Sequence, residues 1–97
     1  MSDKMLPQDA ELFRRVEEIV HYVWDPIGVR GIPEARDEYY SYMTAIYGRV
    51  KSGNIEDIVE YLRWAESENM GLSFEKERAF DVANLMLRWK SYIDENS

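Results

Sequence analysis

The chain has 97 residues, of which 45% are hydrophobic and 32% charged, and it contains no cysteine. These proportions are typical of one globular domain with a modest core, and the missing thiols exclude disulfides and thiolate metal sites. The formal net charge is −7, which disfavours nucleic-acid backbones as ligands and favours a basic partner. No apolar run approaches the length needed to cross a bilayer, so we expect a cytoplasmic protein that binds neither membrane nor nucleic acid.

The first predicted helix covers about residues 9 to 24. Residues 1–8 are expected to form a disordered lead, and Asp9 is a candidate N-cap. Apolar side chains then recur at helical spacing at Leu12, Val16, Ile19 and Val23. Pro26 requires this helix to end near residue 25, because proline lacks an amide donor and restricts the residue before it.

The stretch that follows carries both backbone breakers and large apolar side chains. Its prolines and glycines set the path of the chain, whereas Ile27, Val29 and Ile32 are expected to pack into the core. A second helix is predicted to start near residue 33 or 34, with Tyr39, Tyr42, Met43, Ile46 and Val50 on its buried side. Tyr40 and Tyr47 share a neighbouring face, where at least one of them is expected to be exposed.

Two glycines mark the remaining boundaries. Gly53 is predicted to end helix 2 in the left-handed conformation, with Asn54 as the N-cap of a third helix over residues 55–69. Gly71 is predicted to end helix 3 and Ser73 to cap a fourth helix over residues 74–94. The fold class is therefore all-α: residues 9–97 form a single compact four-helix domain with a structured loop between helices 1 and 2.

Two constellations could carry chemistry. Glu17, His21 and Asp25 lie at one-turn intervals that metal ligands could share, and Asp25, Asp37 and Glu38 could form an acid/base group. Capping and helix-dipole roles explain these carboxylates better, since no nucleophile or phosphate-binding glycine loop accompanies them. The sequence thus predicts no catalytic residue, metal or cofactor, with a small enzyme or ligand-binding protein using the loop carboxylates as the alternative.

One segment resembles a known family. Trp24, Asp25, Pro26, Ile27 and Gly28, followed by Asp37, Glu38 and Tyr39, resemble the signature of a family of short bacterial helical proteins of unknown function. The same segment also resembles small immunity-type proteins that neutralise toxins. The resemblance covers roughly residues 12–70 and implies a helical fold, with Tyr40 departing from the expected polar residue.

The charge distribution suggests where a partner would bind. Residues 1–53 hold seven Lys/Arg against nine Asp/Glu, whereas residues 54–97 hold five against ten. We therefore expect a non-enzymatic protein-interaction module, of immunity type in its sharpest form. Its basic partner would face the helix 3 carboxylates, with one tyrosine as an aromatic anchor; the candidate residues are Glu56, Asp57, Glu60, Tyr61 and Tyr40.

Overall fold

A computed structural model describes residues 6–24 and 40–96, and these form an all-α fold of four helices packed together. The helices are α1 (Pro7–Ile19), the described part of α2 (Tyr40–Ser52), α3 (Ile55–Arg63) and α4 (Lys76–Glu95). Two of them continue into π-helical turns: α1 into Val20–Trp24 and α3 into Trp64–Asn69. The prediction of an all-α helical domain is confirmed.

Helix α1 begins two residues earlier than the sequence predicts. Pro7 occupies the first turn, where its missing amide costs nothing, and the N-cap is Leu6, which makes no side-chain capping bond. The prediction of Asp9 as N-cap is therefore wrong. Asp9 lies inside the first turn, and its carboxylate accepts from Lys51 Nζ at 2.5 Å, tying α1 to α2.

The boundary between α2 and α3 follows the prediction. Gly53 has φ of +82°, and its amide donates to the carbonyls of Arg49 and Val50. Asn54 Oδ1 then accepts from the backbone amides of Glu56 and Asp57 at 2.9 and 3.2 Å. So short a connection makes α2 and α3 antiparallel neighbours.

Between α3 and α4, Gly71 again takes a positive φ of +73°, but Ser73 does not cap the next helix. Helix α4 starts at Lys76, and its N-cap Glu75 makes no side-chain capping bond. Ser73 is exposed in the connection before α4, whereas its neighbour Phe74 is partly buried. Ser73 is thus held away from the amides of α4, because Phe74 packs against the core.

The core lies between all four helices, with α4 in contact with each of the other three. Its largest fully buried side chains come from every helix, and they are Trp24, Met43, Ile46, Ile58, Leu62 and Met86. The predicted stripe of α2 is buried at Tyr42, Met43, Ile46 and Val50, and Tyr40 is exposed as expected. In the described part of the chain, no helix is long and apolar enough to span a bilayer.

Several predictions lie outside the described residues. These are the disorder of residues 1–5, the packing of Ile27, Val29 and Ile32, the start of helix 2 and the signature positions Asp25, Pro26, Gly28, Asp37, Glu38 and Tyr39. Trp24, the first signature residue, is fully buried.

Candidate functional site

The exposed side of α3 carries a row of carboxylates. Glu56, Asp57 and Glu60 are all exposed, and Glu68 continues the row on the π-helical turn. Glu56 and Asp57 lie in the first turn, where the N-terminal dipole and the Asn54 cap favour negative charge. The structure therefore brings the three predicted helix 3 carboxylates onto one exposed surface.

Glu60 is held by an arginine one turn further along α3. Arg63 Nη2 and Nε donate to Glu60 Oε2 at 2.7 and 3.0 Å, and this hydrogen bonding lowers the pKa of the Glu60 carboxyl. Arg63 also lies 3.8 Å from Glu68. Arg63 thus partly offsets the negative charge of Glu60, which it binds directly, and lies close to that of Glu68.

Trp64 is the aromatic residue of α3 and its π-helical turn that lies in the carboxylate row. Its ring is 41% exposed and lies 5.5 Å from the ring of Tyr61. Trp64 follows Glu60 by four residues and precedes Glu68 by four, so it lies between them on the surface. We call Glu56, Asp57, Glu60, Trp64 and Glu68 the acidic face.

Tyr61 is less suited to an anchor role than the sequence suggests. It is half-buried, and the guanidinium of Arg49 covers its ring at 4.5 Å, a cation–π contact between α2 and α3. Burial raises the pKa of the Tyr61 hydroxyl. Tyr61 therefore packs against Trp64, and Trp64 is the ring of the two that reaches solvent.

Tyr40 does not join the acidic face at Glu56 and Asp57. It is 66% exposed, but it lies at the opposite end of α2 from Ser52, which adjoins the start of α3. Twelve residues of helix separate those two ends by about 18 Å. The separation follows from the antiparallel pairing of α2 and α3, which the short connection at Gly53 and Asn54 imposes.

A second polar group is buried where the two π-helical turns meet. Trp24 Nε1 donates to Glu66 Oε2 at 2.5 Å, and Glu66 is only 8% exposed. Burial raises the pKa of the Glu66 carboxyl, against the opposing effects of the Trp24 bond and the positive charge of Arg78. Such turns often occur at functional positions, because they displace side chains from the regular helical pattern.

Further hydrogen bonds extend this group. Arg78 Nη2 donates to the carbonyls of Val23 and Trp24 at 2.6 and 2.7 Å, and so binds the end of the first π-helical turn to α4. Asn69 Nδ2 donates to the Tyr42 hydroxyl at 2.7 Å, and the Tyr42 ring lies edge-on to Trp24. We call Trp24, Tyr42, Glu66, Asn69 and Arg78 the polar cluster.

The sequence analysis assigned no role to Glu66, Asn69 or Arg78. A signal existed for Glu66, which follows Ile58 and Leu62 at four-residue intervals and so continues the buried stripe of α3. An acidic residue on such a stripe indicates a buried partner.

The polar cluster contains one carboxylate, that of Glu66, and Trp24 donates to one of its two oxygens, Oε2. Across residues 6–24 and 40–96, no group of three His, Cys, Asp or Glu side chains could hold a metal ion. His21 is buried, and its Nδ1 lies 2.9 Å from the Glu17 carbonyl oxygen. The predicted alternative that used Asp25, Asp37 and Glu38 lies outside the described residues.

Comparison with known proteins gives no match to a family model, a curated protein or a solved structure. The resemblance of the Trp24 segment to short bacterial helical proteins therefore stays a prediction.

Proposed function

We propose that this protein is a non-enzymatic interaction module that binds a basic protein through the acidic face of α3. The observation that carries the proposal is the exposed ring of Trp64 among the carboxylates of that face. In its sharpest form the module is of immunity type, and the partner is a basic toxin that it neutralises.

The arrangement fits the anatomy of protein-binding surfaces. Tryptophan is enriched among residues that dominate binding free energy, particularly when surrounding polar groups exclude water from it. Here the Tyr61 ring packs against the Trp64 ring, and Arg49 in turn covers Tyr61, so little side-chain entropy is lost when a partner covers Trp64. The carboxylates would form the rim, where charge sets orientation and association rate more than affinity.

The charge of the acidic face predicts a kinetic signature. Long-range attraction to a basic partner raises the association rate constant, and salt screens it once the Debye length falls to about 8 Å. Increasing ionic strength should therefore lower the association rate constant much more than it raises the dissociation rate constant.

The test begins with capture of partners from a lysate of the native host. Binding of a retained protein is then measured at two ionic strengths for the wild type and for Glu56→Lys/Asp57→Lys/Glu60→Lys. A matched variant reverses three exposed α4 carboxylates, Glu77, Asp94 and Glu95, and so has the same net charge. The proposal expects weaker binding and loss of salt dependence in the first variant, with wild-type behaviour in the second.

A separate experiment tests Trp64 as the anchor, apart from the carboxylates that form the rim. Trp64→Ala should weaken binding at least tenfold through a faster dissociation rate, whereas Tyr40→Ala should leave it near the wild-type value. The proposal fails if no basic protein is retained, or if the three-carboxylate reversal on α3 binds as tightly as the matched variant. A larger effect of Tyr40→Ala than of Trp64→Ala would place the anchor at the other end of α2.

A further inference from the structure

A different face of the molecule, on α4, carries a row of side chains at alternating spacings of three and four residues. These are Arg78, Asp81, Leu85, Arg88 and Tyr92, which we call the α4 seam. At 100° per residue they fall within roughly 80° of the helix circumference, so they share one side of α4. Leu85 is half-buried, the other four are exposed, and Tyr92 reaches 59% exposure.

The α4 seam borders a groove. One depression of about 610 Å³ is lined by Val23, Arg78, Asp81, Leu85 and Arg88, among others. A second, of about 450 Å³, is lined by Leu85, Arg88, Trp89 and Tyr92. Because Leu85 and Arg88 line both, the two depressions adjoin at the middle of α4, where the surface is largely apolar.

One side of the groove is held firmly. The guanidinium of Arg15 on α1 lies 4.7 Å from the centre of the Trp89 ring, and Tyr92 meets Trp89 edge-on at 5.7 Å. Large aromatic side chains held in one orientation bury apolar area with little loss of entropy when a partner covers them.

The charged residues of the α4 seam differ from their neighbours on the same helix. Lys90 pairs with Asp94 at 2.9 Å, whereas Asp81 and Arg88 form no ion pair with any residue of the described parts of the chain. They cannot pair with each other, since seven residues of helix place them about 10 Å apart. This face therefore presents an apolar centre at Leu85 to solvent, with the unpaired carboxylate of Asp81 on one side and the unpaired guanidinium of Arg88 on the other.

We propose that this face binds a second copy of the chain, with the two α4 helices antiparallel and a twofold axis passing close to Leu85. Asp81 lies about 6 Å along the helix on one side of Leu85, and Arg88 about 4.5 Å on the other. The twofold axis therefore brings Asp81 of each copy to nearly the same level as Arg88 of the other. Leu85 meets its own counterpart at the axis, as an isologous interface requires.

Charge selects a second copy over other occupants of the groove. An acidic peptide would be attracted by Arg88 but repelled by Asp81. A basic peptide would be attracted by Asp81 but repelled by Arg88. An antiparallel copy presents the two charges in the complementary order, and it places Tyr92 near Arg78, within reach of a cation–π contact. This interface leaves the acidic face of α3 uncovered, so it is independent of the proposed function.

The test uses charge reversal at the two positions. Asp81→Arg alone places two arginines opposite each other at both symmetric contacts, and Arg88→Glu alone places carboxylates there. Each single variant should raise the dimer dissociation constant at least tenfold, since an attractive pair becomes repulsive twice. The double variant Asp81→Arg/Arg88→Glu restores both attractions and should dimerise like the wild type.

Mixing the two single variants gives the most specific readout. Asp81→Arg has arginine at both positions, and Arg88→Glu has a carboxylate at both. The mixture should therefore form a heterodimer although neither variant dimerises alone. Lys76→Glu is the matched control: Lys76 is exposed and lies nine residues from Leu85, on the opposite side of α4. It should dimerise like the wild type.

Sedimentation equilibrium from micromolar to millimolar concentration measures these states, and circular dichroism verifies that each variant is helical. Because the chain lacks cysteine, Leu85→Cys gives a second measurement. This variant should form a disulfide-linked dimer on oxidation, whereas Lys76→Cys should not, because only a residue beside the axis meets its own copy at bonding distance. A monomeric wild type at millimolar concentration, or mixed single variants that do not associate, would overturn the proposal.

Discussion

Leu62 on α3 and Glu66 on the π-helical turn that continues it are four residues apart, and both are buried, yet different interactions surround them. Leu62 lies among apolar side chains that include Ile46, Ile58 and Met86, where burial stabilises without regard to direction. Glu66 lies in the polar cluster, where the Trp24 hydrogen bond offsets the desolvation of its carboxylate. The difference shows that one helix of this small domain uses close packing in its middle and directional bonds at its end.

The two regions also differ in helical geometry. The apolar part of α3 is a regular α-helix that ends at Arg63, and the polar part begins with the π-helical turn Trp64–Asn69. Ala65 and Glu66 are both buried in this turn. Among the described residues, no buried side-chain nitrogen or oxygen lacks a hydrogen-bond partner, so the polar cluster has compensated the groups that it buries.

The largest effect is expected in the apolar region. Leu62 is 0% exposed, and Leu62→Ala should lower the free energy of unfolding by about 3 kcal/mol, through lost burial and the cavity left behind. Urea unfolding followed by circular dichroism measures this loss. Leu6→Ala, at an exposed leucine, is the control and should change stability by less than about 0.5 kcal/mol. Equal effects at the two leucines would show that the apolar middle does not dominate stability.

A smaller but more specific effect is expected in the polar cluster. Trp24→Phe keeps an aromatic ring but removes the indole N–H, and so leaves the buried Glu66 carboxylate without that donor. We expect a loss of about 2 kcal/mol in unfolding free energy.

A double-mutant cycle with Glu66→Leu separates the lost bond from the lost ring volume. Trp24→Phe should cost clearly less when residue 66 is leucine, because no carboxylate is then left unpaired. The same cost in both backgrounds would mean that Trp24 acts by volume alone, as Leu62 does.

The kind of interaction in each region determines how much of that region the sequence predicts. Apolar periodicity places Ile46, Ile58 and Leu62 in the core without knowledge of their neighbours, because burial depends only on which side of a helix a residue occupies. Gly53 and Asn54 are likewise predictable, since their roles depend on local backbone conformation alone. The failed caps have two causes: Pro7 starts α1 before Asp9, and the core packing of Phe74 keeps Ser73 in the connection ahead of α4.

The candidate sites are less predictable because they depend on pairing between helices. The carboxylates of α3 follow from local sequence, but whether Tyr61, Tyr40 or Trp64 lies among them depends on Arg49 and on the antiparallel course of α2. The Trp24–Glu66 bond joins residues 42 positions apart, and no local pattern relates them.

The smallest effect that distinguishes the two regions is a dependence on pH. Burial raises the pKa of Glu66 above its ordinary value of about 4.5, so the native state holds a proton on this carboxyl at pH values where the unfolded state has lost it. The contribution of Glu66 to the unfolding free energy must therefore fall as pH rises from about 4.5 towards neutrality. Glu66→Gln cannot titrate, so its stability relative to the wild type should rise through this window and stay level below it. Parallel urea titrations of both proteins across the window measure the change.

Glu60→Gln is the control: its exposed carboxylate has a lowered pKa, so any contribution has the opposite sign, with stability lost as pH falls. If the difference between Glu66→Gln and the wild type instead stays constant from about pH 4.5 to neutrality, Glu66 titrates as it does in the unfolded chain, and pH does not distinguish the Glu66 region from the Leu62 region.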